Sequence, residues 1–98
     1  MAEGTINSGT FINFVIPSNT TKIISFSTYE GNALIFTGSN KPIMYLFCNG
    51  YLLPCFTDND VTVTLNGSTY KDITIVNNKT AYLQVGVLRS PNLNMALS

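Results

Sequence analysis

Ile43-Met44-Tyr45-Leu46-Phe47-Cys48-Asn49-Gly50-Tyr51-Leu52-Leu53-Pro54-Cys55-Phe56 is the stretch that decides the fold. Asn-Gly between two apolar runs specifies a two-residue turn whose central residues take positive φ, which matches the twist of a β-hairpin. With Asn49-Gly50 as the turn, Cys48 lies opposite Tyr51, and counting outward sets Met44 opposite Cys55. Side chains alternate along a strand, so Met44, Leu46, Cys48, Tyr51, Leu53 and Cys55 share one face, and Ile43, Tyr45, Phe47, Leu52, Pro54 and Phe56 share the other. Both faces are apolar. A two-layer β domain has one interior, so one face of this hairpin needs a cover that an ordinary water-facing strand does not.

Free Cys is among the most buried residue types, which makes the Cys-bearing face the expected core. Tyr45, Phe47, Leu52 and Phe56 are then the candidate contact patch, extended by Ile23 and Tyr29 from the expected strand Thr20 to Tyr29. The two cysteines fall about 13 Å apart along the ribbon at ordinary strand rise, beyond the roughly 7 Å that a disulfide spans. They are expected as unpaired, buried thiols. Pro54 cannot donate to a ladder and marks an edge or a bulge.

Outward from the hairpin, period-two alternation recurs from about residue 10 to residue 88, and no helical period is sustained. The expected strands are 10–16, ended by Pro17, then 20–29 and 33–37, followed by the breaker-rich loop Gly38-Ser39-Asn40-Lys41-Pro42. After the hairpin come 61–65, a second Asn-Gly at Asn66-Gly67, 68–76, the turn Asn77-Asn78-Lys79 and 81–88. Ile24 and Phe26, Val61, Val63 and Leu65, Ile73 and Ile75, and Leu83, Val85 and Val87 form single apolar rows and are expected core. The fold class is all-β, a small sandwich or barrel of about seven or eight antiparallel strands. Residues 1–98 are read as one β domain, with its core over 10–90 and flexible arms at 1–9 and 91–98.

Composition narrows the function. Charged residues make up 10% of the chain, well under the usual share of about 25%, and there is no His. Eight Ser, twelve Thr and twelve Asn supply the polarity instead. Five basic residues (Lys22, Lys41, Lys71, Lys79, Arg89) and five acidic ones (Glu3, Glu30, Asp58, Asp60, Asp72) are scattered. That pattern argues against nucleic acid, which needs phosphate neutralisation, and against an anionic membrane surface, which needs clustered cations. No apolar run approaches the roughly 20 residues of a spanning helix. The start, Met1-Ala2-Glu3-Gly4-Thr5, has neither the basic nor the apolar region of a signal peptide, so synthesis in a cytoplasm is expected. The sequons at Asn19, Asn66 and Asn78 are then read as chance products of an Asn- and Thr-rich chain.

The sequence offers little to catalysis. Scattered carboxylates without His make a poor acid–base pair, neither Cys has a His to activate it, and no nucleophile elbow or phosphate-cradling loop occurs. Asp58-Asn59-Asp60 offers oxygens to Ca²⁺, but a helical calcium loop would need Gly at Val63 and Glu at Thr69; it is read as a solvated turn. No cofactor or metal is expected. The expectation is a non-enzymatic structural or accessory protein that docks by its β surface into a larger assembly, with copies of itself, with other assembly proteins, or with both. By analogy of architecture alone, this is the form of small virus or phage particle components such as capsid decoration, tail and fibre proteins, which would place it in a virion. The alternative is a carbohydrate- or receptor-binding module, with a glycan stacked on one of Tyr29, Tyr45, Tyr51, Tyr70 or Tyr82.

Overall fold

A computed structural model describes residues 6–8, 10–38 and 41–98. Among the described residues there are ten strands: β1 (Ile6–Ser8), β2 (Phe11–Ile16), β3 (Thr20–Phe26), β4 (Asn32–Thr37), β5 (Met44–Cys48), β6 (Tyr51–Phe56), β7 (Val61–Leu65), β8 (Asp72–Asn77), β9 (Leu83–Arg89) and β10 (Met95–Leu97). All pair antiparallel, in a six-stranded sheet of order β1-β2-β9-β4-β5-β6 and a four-stranded sheet of order β10-β3-β8-β7. The two sheets pack as a small β-sandwich. Their inner faces supply the core, with Phe14, Ile16, Ile35 and Val85 from the larger sheet against Ile24, Phe26, Ile73 and Ile75 from the smaller. Phe26 and Phe47 meet across the layers with ring centroids 4.9 Å apart.

The local rules that built the expectation hold where the signal was strongest. Asn49 (φ 46°) and Gly50 (φ 82°) form the positive-φ turn of the β5–β6 hairpin. β6 is an edge strand with a bulge, as Pro54 requires. Every residue expected in the single apolar rows is buried except Leu65, which packs half-buried against the core.

Elsewhere the chain departs from expectation. Asn66-Gly67 is not a two-residue turn: Asn66 Oδ1 accepts from the backbone of Ser68 and Thr69, Tyr70 N–H donates to Asn66 O, and the wider loop delays β8 to Asp72. The side-chain bonds of Asn66 make an Asx turn that competes with hairpin closure. The C-terminal arm is likewise structured. Leu93 is buried in the core, and β10 pairs with β3, with Ile23 and Ser98 exchanging both backbone hydrogen bonds. At the other end, residues 6–8 pair with β2, while residues 1–5 and 9 of the expected arm, and Ser39 and Asn40 of the expected loop, lie outside the described residues.

Candidate functional site

The hairpin is turned over relative to the sequence expectation. Phe47 is 0% and Tyr45 8% exposed, and with Ile43 they belong to the core, so the Cys-bearing side faces outward. Burial of the two large aromatics and Ile43 removes more apolar area from water than burial of two thiols would, and that difference orients the ribbon. Cys48 is half-buried, Cys55 is exposed, and both are free. Of the six expected contact residues, Tyr45 and Phe47 are therefore interior and Leu52 packs half-buried against the core. Ile23 lies on the outer face of the other sheet and Tyr29 in the 27–31 turn, so the six form no common patch.

Phe56 arrives at the exposed face of the larger sheet by a route the sequence count missed. Tyr45 pairs with Pro54, but Met44 pairs with Phe56, leaving Cys55 as the extra residue of a bulge. One extra residue reverses the side on which the next residue points. Phe56, 59% exposed, thereby joins Met44 on the outer face.

Continuing the register across the larger sheet gives two rows on that face. One runs Phe11, Leu88, Leu34, Leu46, Leu53 over five strands, and the next Asn13, Gly86, Phe36, Met44, Phe56. Gly86 is covered by a neighbour's ring: a Cβ there would stand 2.7 Å from Phe36 Cζ and 3.3 Å from Phe11 Cε1, and the two rings stack at 6.3 Å. The result is a flattened apolar surface with a depression of about 300 Å³ walled by Leu34, Leu46 and Leu88. Beyond the rows lie Asn32, Cys48 and Tyr51 at one end and Val15 and Gln84 at the other, with Gln84 donating to Asn13. No strand residue from β2, β9, β4, β5 or β6 on this face is charged.

The smaller sheet shows the contrast. Its outer rows read Ala96-Ser25-Asp72, Ile23-Thr74-Thr64 and Thr21-Val76-Thr62, a mostly polar surface of the kind water normally meets.

A second feature sits at the turn end of the molecule. Asn49 N–H donates to Gly31 O at 2.9 Å and Gly31 N–H donates to Asn49 Oδ1 at 3.0 Å, clamping the hairpin turn to the 28–31 turn. A Cβ on Gly50 would lie 3.4 Å from Tyr70 Cβ and 3.6 Å from Tyr29 Cβ, so those two tyrosines flank the bare glycine. With Tyr51 they wall a recess of about 420 Å³. Tyr51 and Tyr70 also border a more apolar cleft of about 620 Å³ between β6 and β7, lined by Leu52, Pro54, Val63 and Leu65.

The acidic turn is not solvated as expected. Asp58 is buried, its Oδ2 2.7 Å from Lys79 Nζ, and its Oδ1 accepts from Asp60 N–H. The Lys79 ammonium, then the Asp60 amide, hold its carboxyl below the usual value. Among the described residues no group of three or more His, Cys, Asp or Glu is placed to hold a metal, and no helix is long and apolar enough to cross a membrane. Compared with protein-family models, curated proteins and solved structures, the chain matches none.

Proposed function

We propose that the protein is a non-enzymatic structural or accessory subunit that docks through the outer face of its six-stranded sheet, copy against copy, within a larger assembly. The supporting observation is the pair of in-register apolar rows, uncharged from β2 to β6, on a face that a free monomer would leave in water. An apolar patch of this kind on a small domain marks an interaction surface.

A second copy suits the face better than a charged partner. The rows carry no charge for a partner to complement, with Arg89 at the rim of the depression, whereas two such faces related by a two-fold axis offer each other matching rows, and sheets pack face to face at about −30° in just this way. Edge-to-edge association is disfavoured at β6, where Pro54 and the bulge interrupt the ladder. Four strand spacings and one two-residue step between rows give a footprint of roughly 20 by 7 Å before side-chain relief is added. That is small beside the roughly 800 Å² per partner of a standard interface, so the pairwise contact is of the weak kind that assemblies reinforce by multiplicity. A virus or phage particle, with the subunit in a decoration, tail or fibre position, is the class of assembly this reading suits.

The test is the mass in solution by light scattering for the wild type, Leu53→Asp and Phe56→Asp, with Ile23→Asp on the opposite face as control. The expected result is a concentration-dependent oligomer for the wild type and the control, and folded monomers for the two face variants. A wild type that stays monomeric at high concentration sinks self-association. Phe47→Asp, by contrast, puts a charge into the core and unfolds the protein instead of separating copies.

A further inference from the structure

We propose that the recess walled by Tyr29, Tyr51 and Tyr70 binds a neutral pyranose sugar. Three tyrosines from three separate segments converge on it, and all remain substantially exposed, at 49%, 70% and 51%. A sugar ring offers an apolar C–H face and a polar rim. Tyrosine answers both, with a ring to stack on and a hydroxyl at its edge. Gly50 forms a floor without a side chain between Tyr29 and Tyr70, which leaves the width between the rings open. The clamp between Asn49 and Gly31 fixes the amide of Asn49 through its Oδ1, and Asn49 is part of the lining of the recess. A volume of about 420 Å³ lies in the range of small-molecule sites.

Tyr70 carries the second, independent observation. Its φ is +58°, and a bulky side chain in the left-handed region is strained, unlike Asn19 and Asn49, which adopt that region readily. Gly67, in the same loop, does not have positive φ, so the loop concentrates its strain on a tyrosine instead of the available glycine. Strain retained on one exposed ring, aimed into a recess with two others, fits a binding wall better than a turn evolved only to close a hairpin. No charged side chain lines the recess, which favours a neutral sugar over an acidic one. An extended proline-rich peptide also uses aromatic walls, and it is the competing occupant that the titration below includes.

Tyr29 and Tyr70 come from turns outside the apolar face of the larger sheet, and Tyr51 lies beyond its two rows, so variants at Tyr29 and Tyr70 test this site without altering the docking rows. The experiment is a titration of backbone amide NMR shifts in the wild type with cellotetraose, maltotetraose and chitotetraose at millimolar concentrations, and with a decaproline peptide. The variants are Tyr29→Ala and Tyr70→Gly; the glycine accepts positive φ and keeps the turn. Saturable shifts at Gly50, Tyr51 and their neighbours with at least one sugar are expected. Each variant should stay folded and weaken that binding by about three- to tenfold, the scale of one aromatic contact. The proposal is overturned by no shift with any sugar, by shifts that both folded variants retain at full affinity, or by saturation with the peptide alone.

Discussion

At the residue scale, the end of the sandwich opposite the tyrosines is organised by one buried amide. Asn77 is 0% exposed, and its Nδ2 lies 3.1–3.2 Å from the carbonyl oxygens of Ile16, Pro17 and Ala81, while its Oδ1 accepts from Lys79 N–H. Replacement by Ala strands those carbonyls, and Asn77→Ala is expected to cost about 2–3 kcal/mol in urea unfolding. Composition marks Asn as a turn residue, and twelve of them give no local sign of which one is interior. The same holds for Asp58, whose partner Lys79 lies across a sheet connection. Titration makes a second prediction. Asp58 is held low by Lys79 and then Asp60, and Asp72 by the hydroxyls of Thr69 and then Ser25, so both titrate below 3.8 in the folded chain. A depressed carboxylate stabilises the fold above its unfolded value and loses that contribution as pH falls through the folded one. Lys79, raised above 10.5 chiefly by its hydrogen bond to Asp58, and Tyr45, raised above 10.0 by burial, lose theirs as pH rises through their folded values. With no His, the urea midpoint should be flat from about pH 5 to about pH 9.5 and fall on both sides. Asp58→Asn should lower the plateau and soften the acid limb; a midpoint that changes most near neutrality contradicts the assignment.

At the scale of elements, the strands with one apolar row were legible because alternation states which side is inside. β5 and β6 were not, since both of their sides are apolar and only the competition for core volume, which involves Phe26 on another sheet, decides between them. The bulge at Cys55 was invisible for a related reason: Pro54 announces an irregularity but not its register. The C-terminal strand was missed because Asn92 and Asn94 interrupt any period, and its anchor is one side chain. Leu93 is 1% exposed and packs so closely on Gly31 that a Cβ there would come within 2.7 Å of Leu93 Cγ. Leu93→Ala should cost about 2–4 kcal/mol by the usual toll of a buried leucine. Gly31→Ala should destabilise the same contact by overpacking. In both variants the amides of Ile23 and Ser27, which donate to Ser98 O and Asn94 O, should exchange with solvent faster, while the β2–β9 amides change less. Uniform acceleration would mean that β10 is part of the global folding unit instead of a docked strand.

At the scale of the whole molecule, the two outer faces differ in kind, and the difference carries a thermodynamic consequence for association. The four-stranded sheet shows water Thr and Ser rows; the six-stranded sheet shows Leu, Phe and Met with no charge between them. If copies meet through the second face, almost nothing in the contact can be screened by salt, because screening acts on charges and none lie in the rows. The driving force is removal of apolar surface from water, which weakens on cooling and is strengthened by sulfate. Sedimentation of the wild type should therefore give a dimerisation constant that is nearly constant from low to half-molar sodium chloride, tighter in sodium sulfate and weaker near freezing than at room temperature. A contact carried by Glu30, Lys41 or the other scattered charges would behave oppositely, loosening steeply as chloride is added. The composition already pointed this way, since a chain with 10% charged residues has few ion pairs to spend on a partner. Which face is apolar emerged only when pairing placed Phe11, Leu88, Leu34, Leu46 and Leu53, from five separate strands, side by side.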